Sequence, residues 1–108
     1  MQLTVSTFRT DCTDKQQALK VLEETNEAYA AWADLDKCMN DTTFAVCPGC
    51  VDKVSSGACA NGLFLADELA DTITACANLA DRYGLDLQAA LGRVERKNRE
   101  RGRYDATP

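Results

Sequence analysis

Residues 13–36 read TDKQQALKVLEETNEAYAAWADLD, a stretch without glycine or proline. Thr13 followed by Gln16 forms a capping box, in which each side chain satisfies the other's free backbone N–H, so a helix is expected to start there. At 100° per residue, Ala18, Val21, Leu22, Ala28, Tyr29, Trp32 and Leu35 fall on one arc, the expected core face. Leu63 to Tyr83 carries a second helical pattern, with Leu65, Leu69, Ile73, Cys76, Ala77 and Ala80 along one side and Gly84 to stop it. Asp86 is placed to cap a third helix whose Leu87, Leu91 and Val94 recur at helical spacing. The first nine or ten residues fit a short strand or an irregular arm. The expectation is an all-α fold in one domain spanning residues 1–108. Three helices with small, alanine-rich faces make a thin core, so helical hairpins are expected to form a helical bundle on oligomerisation, as a homodimer or homotetramer.

Composition narrows the chemistry. Histidine is absent, which excludes a Ser-His-Asp triad, a Cys-His pair and the Glu-x-x-His motif of di-iron bundles. Any general base is a carboxylate, a lysine or a metal-activated water. No apolar run approaches the roughly 20 residues of a membrane span, and the start lacks the basic flank and apolar stretch of a secretory signal. A cytoplasmic protein is expected, with no membrane partner. Residues 1–92 hold 6 Lys/Arg against 14 Asp/Glu, while residues 93–108 hold 6 against 3. An acidic body repels a nucleic-acid backbone, so no nucleic acid is expected. The basic tail at 93–104 suits an anionic, metal-bound ligand; equally, it complements the dipole at a helix end.

The carboxylates carry the sharper signal. Glu23-Glu24-Thr25-Asn26-Glu27 lies on the first helix and Asp67-Glu68-Leu69-Ala70-Asp71 on the second. Residues three apart point the same way, so Glu24 pairs with Glu27 and Glu68 with Asp71. Each pair borders the apolar arc. Antiparallel packing of the two helices lets four carboxylates converge, a repulsive arrangement that a hard divalent cation, Mg²⁺ or Mn²⁺, relieves. Acidic pairs at this spacing are also common on solvated helix faces; two pairs on successive helices are less so.

Leu22-Glu23-Glu24-Thr25-Asn26-Glu27-Ala28 followed by Glu68-Leu69-Ala70-Asp71 resembles the Glu-Glu-x-x-Glu … Glu-x-x-Asp signature of MazG-type nucleoside triphosphate pyrophosphohydrolases. Lys97-Asn98-Arg99-Glu100-Arg101-Gly102 resembles the Lys-Asn-x-x-Arg-Gly ending of small, phage-like members. The resemblance implies Mg²⁺-dependent hydrolysis of a nucleoside triphosphate to monophosphate and pyrophosphate. It implies Glu24, Glu27, Glu68 and Asp71 as metal ligands, with Glu23 as a supporting carboxylate or a base for water. Lys97, Asn98 and Arg101 match positions that grip phosphate, with Arg93 one turn earlier. Trp32 is a candidate wall for the base, or simply core. Tyr104 closes over the ligand or docks the tail; the sequence does not choose.

The chain departs from that family at 37–61, a cysteine-rich insert lengthening the spacer between the motifs. Cys38-x₈-Cys47-Pro-Gly-Cys50-x₈-Cys59 places a Cys-x-x-Cys turn between two flanking thiols, a set that can hold structural Zn²⁺. Disulfide or redox chemistry and no bound group stay open. Cys12 and Cys76 read as isolated thiols. The alternative function is a non-enzymatic helical interaction module stabilised by a Cys₄ zinc knuckle.

Overall fold

A computed structural model describes residues 1–40 and 60–105. They form three helices and no strand: α1 (Asp14–Asn40), α2 (Ala60–Arg82) and α3 (Leu87–Glu100). The fold is all-α. Residues 1–12 form an arm without regular structure.

The local signals work as the residues imply. Thr13 N–H donates to Gln16 Oε1 at 2.8 Å and Gln16 N–H to Thr13 Oγ1 at 3.1 Å, the reciprocal capping box. Gly84, at φ 64°, closes α2: Leu85 N–H reaches back to the Ala80 carbonyl at 2.9 Å, a bond that needs a left-handed residue between. Asp86 accepts from Ala89 N–H at 2.9 Å and caps α3.

α1 runs four residues past the end read from sequence, through Lys37–Asn40, and α2 starts at Ala60 rather than Leu63. Nothing in 37–40 breaks a helix. Lys37 complements the dipole in the last turn, and Asn40 Nδ2 donates to Asp36 Oδ1 at 2.7 Å. The cysteine-rich insert therefore overlaps both helix ends. Cys47, Cys50 and Cys59 lie outside the described residues, while Cys38 sits half-buried near the end of α1.

Among the described residues, α1 and α2 are the helices that pack along each other. They are antiparallel: Arg82 meets Asp14 at one end, Glu24 faces Glu68 and Asp71 midway, and Asp34 shares a cavity with Asn61 toward the other. The shielded positions on α1 are Gln17, Val21, Glu24, Ala28, Ala31, Leu35 and Cys38; α2 shields a matching series, Asn61, Leu65, Glu68, Thr72, Ala75, Leu79 and Arg82, together with Ala60, Gly62, Thr74, Cys76, Ala77, Asn78 and Ala80. Both series alternate steps of four and three, the spacing of a two-helix seam.

That seam is narrower than the arc read from sequence. Val21, Ala28 and Leu35 lie on it, but Ala18, Leu22, Tyr29 and Trp32 are exposed, Leu22 at 58% and Tyr29 at 68%. Leu69 and Ile73 of α2 are exposed as well. One helix laid on another covers only the strip at the contact, and side chains farther around the axis stay outside it. Among the described residues the buried apolar ones are Ala28, Ala75 and Ala80, and no large side chain is fully buried. The radius of gyration, 17.6 Å, exceeds the about 13 Å of a compact domain near this length. α3 buries none of its residues. No helix among the described residues is long and apolar enough to cross a membrane.

Candidate metal centre

Heptad spacing puts Glu24 on the α1 seam and Glu68 on the facing seam of α2. The small side chains nearby, Ala28 and Ala75, let the helices close over them. Glu24 is only 7% exposed, and Glu68 is half-buried. Asp71, one turn beyond Glu68, is exposed at the rim. One carboxylate oxygen from each of the three lies within 4.8 Å of the others. Opposite ligands of an octahedral Mg²⁺ are roughly 4 Å apart, at about 2.1 Å each from the ion. Three oxygens on one ion cannot all be opposite, so at least two of the three pairs would close to roughly 3 Å.

Glu24 and Glu68 each carry an orphaned oxygen. Glu24 Oε2 and Glu68 Oε2 are buried with no hydrogen-bond partner. A buried carboxylate oxygen without a donor costs about 1–3 kcal/mol or more, so the donor set fits a hard cation. The other oxygen of Glu24 meets Lys20 Nζ at 3.1 Å, and Glu23 Oε1 lies 3.8 Å from the same ammonium. Lys20 carries no motif, and sequence reading passed over it. Its only signal was its position one turn before Glu24, on the same flank.

Glu27 is exposed and stands outside the close trio, yet it is tied to it. Its carboxyl lies against that of Glu24, and contact with Glu24, followed by the charges of Glu24, Glu68 and Glu23, raises its pKa above the ordinary glutamate value. When both are ionised they only repel; a proton on Glu27 turns the contact into a hydrogen bond. Between the ordinary and the raised pKa the folded chain thus holds a proton that the unfolded chain has released. That stabilisation is complete below the ordinary glutamate pKa and is lost as pH rises through the raised one. Metal-free protein is expected to melt progressively lower across that rise, Glu27→Gln to lack this component, and saturating Mg²⁺ to remove it. Scanning calorimetry of both proteins across pH checks it; identical pH profiles for the two would contradict the coupling.

The carboxylates occupy one flank of the α1–α2 pair and the apolar arc the other. Trp32 lies about 140° around the α1 axis from Glu27, its ring centroid 5.6 Å from that of Tyr29. The structure does not bring it to the carboxylates. Nor does it bring the tail there. Arg93 and Lys97 line a separate cavity of about 480 Å³ on α3, with Ala90, Val94, Arg96 and Glu100. Asn98 Nδ2 lies 3.5 Å from Tyr104 Oη, and the Arg99 guanidinium sits 5.6 Å from the Tyr104 ring centre. Gly102 makes the turn that allows this: at φ 71° it is left-handed, and a Cβ there would stand 2.8 Å from Asp105 Oδ2. Tyr104 therefore packs on its own tail, and Arg101 is exposed.

Cys12 is not isolated. Its thiol contacts Thr10 Oγ1 and Gln17 Oε1, and Arg82 donates to its sulfur and its carbonyl oxygen. Cys76 is half-buried on α2.

No protein-family model, curated protein or solved structure matches the chain.

Proposed function

We propose that the chain is a cytoplasmic, self-associating, Mg²⁺-dependent hydrolase of the MazG type that splits nucleoside triphosphates into monophosphate and pyrophosphate. The observation carrying this reading is that Glu24 and Glu68, which converge with Asp71 across the seam, each bury an orphaned carboxylate oxygen. A merely solvated acidic surface does not bury its charges without donors. The motif spacing adds to it.

Glu24, Glu68 and Asp71 would hold the ion, with Glu27 completing the set. When bound, Mg²⁺ supplies charge neutralisation for the phosphates and lowers the pKa of a bound water. Glu23 stands beside these ligands with its side chain 60% exposed, open to solvent and able to take a proton from the attacking water. Lys20, which neutralises Glu24 and Glu23 from one side, is the cation that Mg²⁺ would release toward the ligand phosphates.

Self-association accounts for the other flank. Leu22, Tyr29 and Trp32 of α1, with Leu69 and Ile73 of α2, expose more apolar side chain than the three core alanines bury. Pairing these faces buries them and leaves the carboxylates outward. It also gives α3, whose Leu87, Leu91 and Val94 are exposed, a surface to pack on, and places its basic residues within an oligomer. Lys97→Ala is expected to raise KM for the triphosphate about tenfold with kcat little changed, the loss of one charged phosphate contact. Steady-state kinetics check this, and an unchanged KM would make the tail a bystander.

The direct test incubates the full chain with a panel of ribo- and deoxynucleoside triphosphates and Mg²⁺ and identifies the products. Monophosphate with pyrophosphate supports the reading. Orthophosphate moves the attack to another bond. No hydrolysis of any nucleotide overturns the enzyme and leaves a helical interaction module.

A further inference from the structure

Next to the carboxylates lies a cavity of about 610 Å³, within the range of small-molecule sites. Glu24 and Asp71 line it together with Gln17 and Leu19 of α1, Asn78 of α2 and Phe8 of the arm. We propose that this cavity is a nucleobase subsite that selects a base by its keto edge, with Asn78 as the donor that reads it. The inference rests on the nucleotide reading above and names the part of the substrate that reading leaves open.

Two buried primary amides carry it. Gln17 is 6% exposed and Asn78 7%, on helices whose other buried residues are alanines and Glu24. Burying an amide is unfavourable unless its groups find partners. Asn78 Oδ1 accepts from Phe8 N–H at 2.9 Å, and Gln17 Oε1 accepts from Cys12 Sγ at 3.6 Å. Both bonds use the carbonyl oxygen. The Phe8 N–H can only donate, so it fixes which end of the Asn78 amide faces the arm and leaves the NH₂ group as a donor at the cavity. A keto oxygen, as on uracil, thymine or guanine, accepts from that group. The amino group that cytosine or adenine carries in its place leaves that donor unpaired, which is how a hydrogen-bonding site rejects an analogue.

The wall is built into the fold. Arg82 pairs with Asp14 at 2.6 Å and donates to Cys12, pinning the arm's end to both helices. Phe8, 57% exposed, supplies aromatic surface against which a base can stack. The phosphates of a base seated here then extend toward Glu24 and Asp71 at the same cavity.

The test measures kcat/KM of the full chain with Mg²⁺ for dUTP, dTTP, dGTP, dCTP and dATP. Keto bases are expected to be preferred. Asn78→Asp keeps the oxygen that accepts from Phe8 N–H and replaces the donor with an acceptor. It should move the dCTP-to-dUTP ratio about tenfold or more toward dCTP. A purely structural asparagine would change all substrates alike. Phe8→Ala, at an exposed position, should raise KM about tenfold for every nucleotide and leave inhibition by inorganic pyrophosphate unchanged; Phe8→Tyr should restore KM. If Asn78→Asp does not fold, the Phe8 pair still decides. Continued turnover with an unaltered ratio and unaltered KM in these variants overturns the subsite and leaves the hydrolase standing. Absence of any hydrolysis by the parent chain overturns both.

Discussion

Glu24→Gln is expected to lose about a thousandfold in kcat and, in metal-free buffer, to melt higher than the parent. The two effects share one cause. Glu24 is the most buried of the acidic cluster and has an oxygen with no donor, beside the carboxylates of Glu27, Glu68 and Asp71. Without a cation its charge is repulsive, and a neutral amide of the same shape removes that repulsion and gains a donor. Loss of a metal ligand withdraws several kcal/mol of transition-state stabilisation, and each 1.4 kcal/mol is about tenfold in rate. Glu68→Gln should behave the same way, since its Oε2 is the orphan on the facing helix. A Glu24→Gln protein that melts lower than the parent would mean that the Lys20 ion pair outweighs the repulsion. One that keeps full turnover would remove Glu24 from the chemistry.

The second large effect concerns the opposite flank. On the proposed self-association, Trp32→Glu is expected to give a poorly folded monomer. Trp32 is 46% exposed and touches Tyr29 on a face that nothing among the described residues covers. Burying a large apolar side chain contributes about 1.5–3 kcal/mol, and in a symmetric pair each copy contributes its own. Placing a carboxylate there cancels that gain and adds a desolvation cost. Light scattering and sedimentation at micromolar concentration measure it. A parent chain that is already a stable monomer, or a variant that assembles as before, would contradict the account of this face.

The sequence was most legible where the cause is local. The capping box of Thr13 and Gln16, the stop at Gly84 and the cap at Asp86 depend on a few adjacent residues, and each is found as read. The meeting of Glu24 with Glu68 and Asp71 was also legible, because a three-residue step on two antiparallel helices has one geometric outcome. Packing was harder to read. A helical wheel shows that Leu22, Tyr29 and Trp32 share a side with Val21 and Ala28, but not how wide a strip a single partner helix covers. The seam runs through Gln17 and Glu24, polar residues that an apolar-arc reading discards. For the same reason the cavity bounded by Phe8, Gln17 and Asn78 escaped notice: two amides and a phenylalanine, far apart in sequence, carry no motif. Their one signal is that Gln17 falls on the seam's four-three rhythm. Where the α1 end lies was misread because the insert's composition outweighed the lack of any helix breaker in 37–40.

Titration with Mn²⁺, followed by electron paramagnetic resonance of the free ion, puts the central claim to its most direct test. The parent chain is predicted to take up Mn²⁺ saturably, Mg²⁺ to compete, and Glu24→Gln and Glu68→Gln each to abolish the uptake while remaining helical by circular dichroism. Equal uptake by the parent and both variants would mean that the facing carboxylates hold no cation.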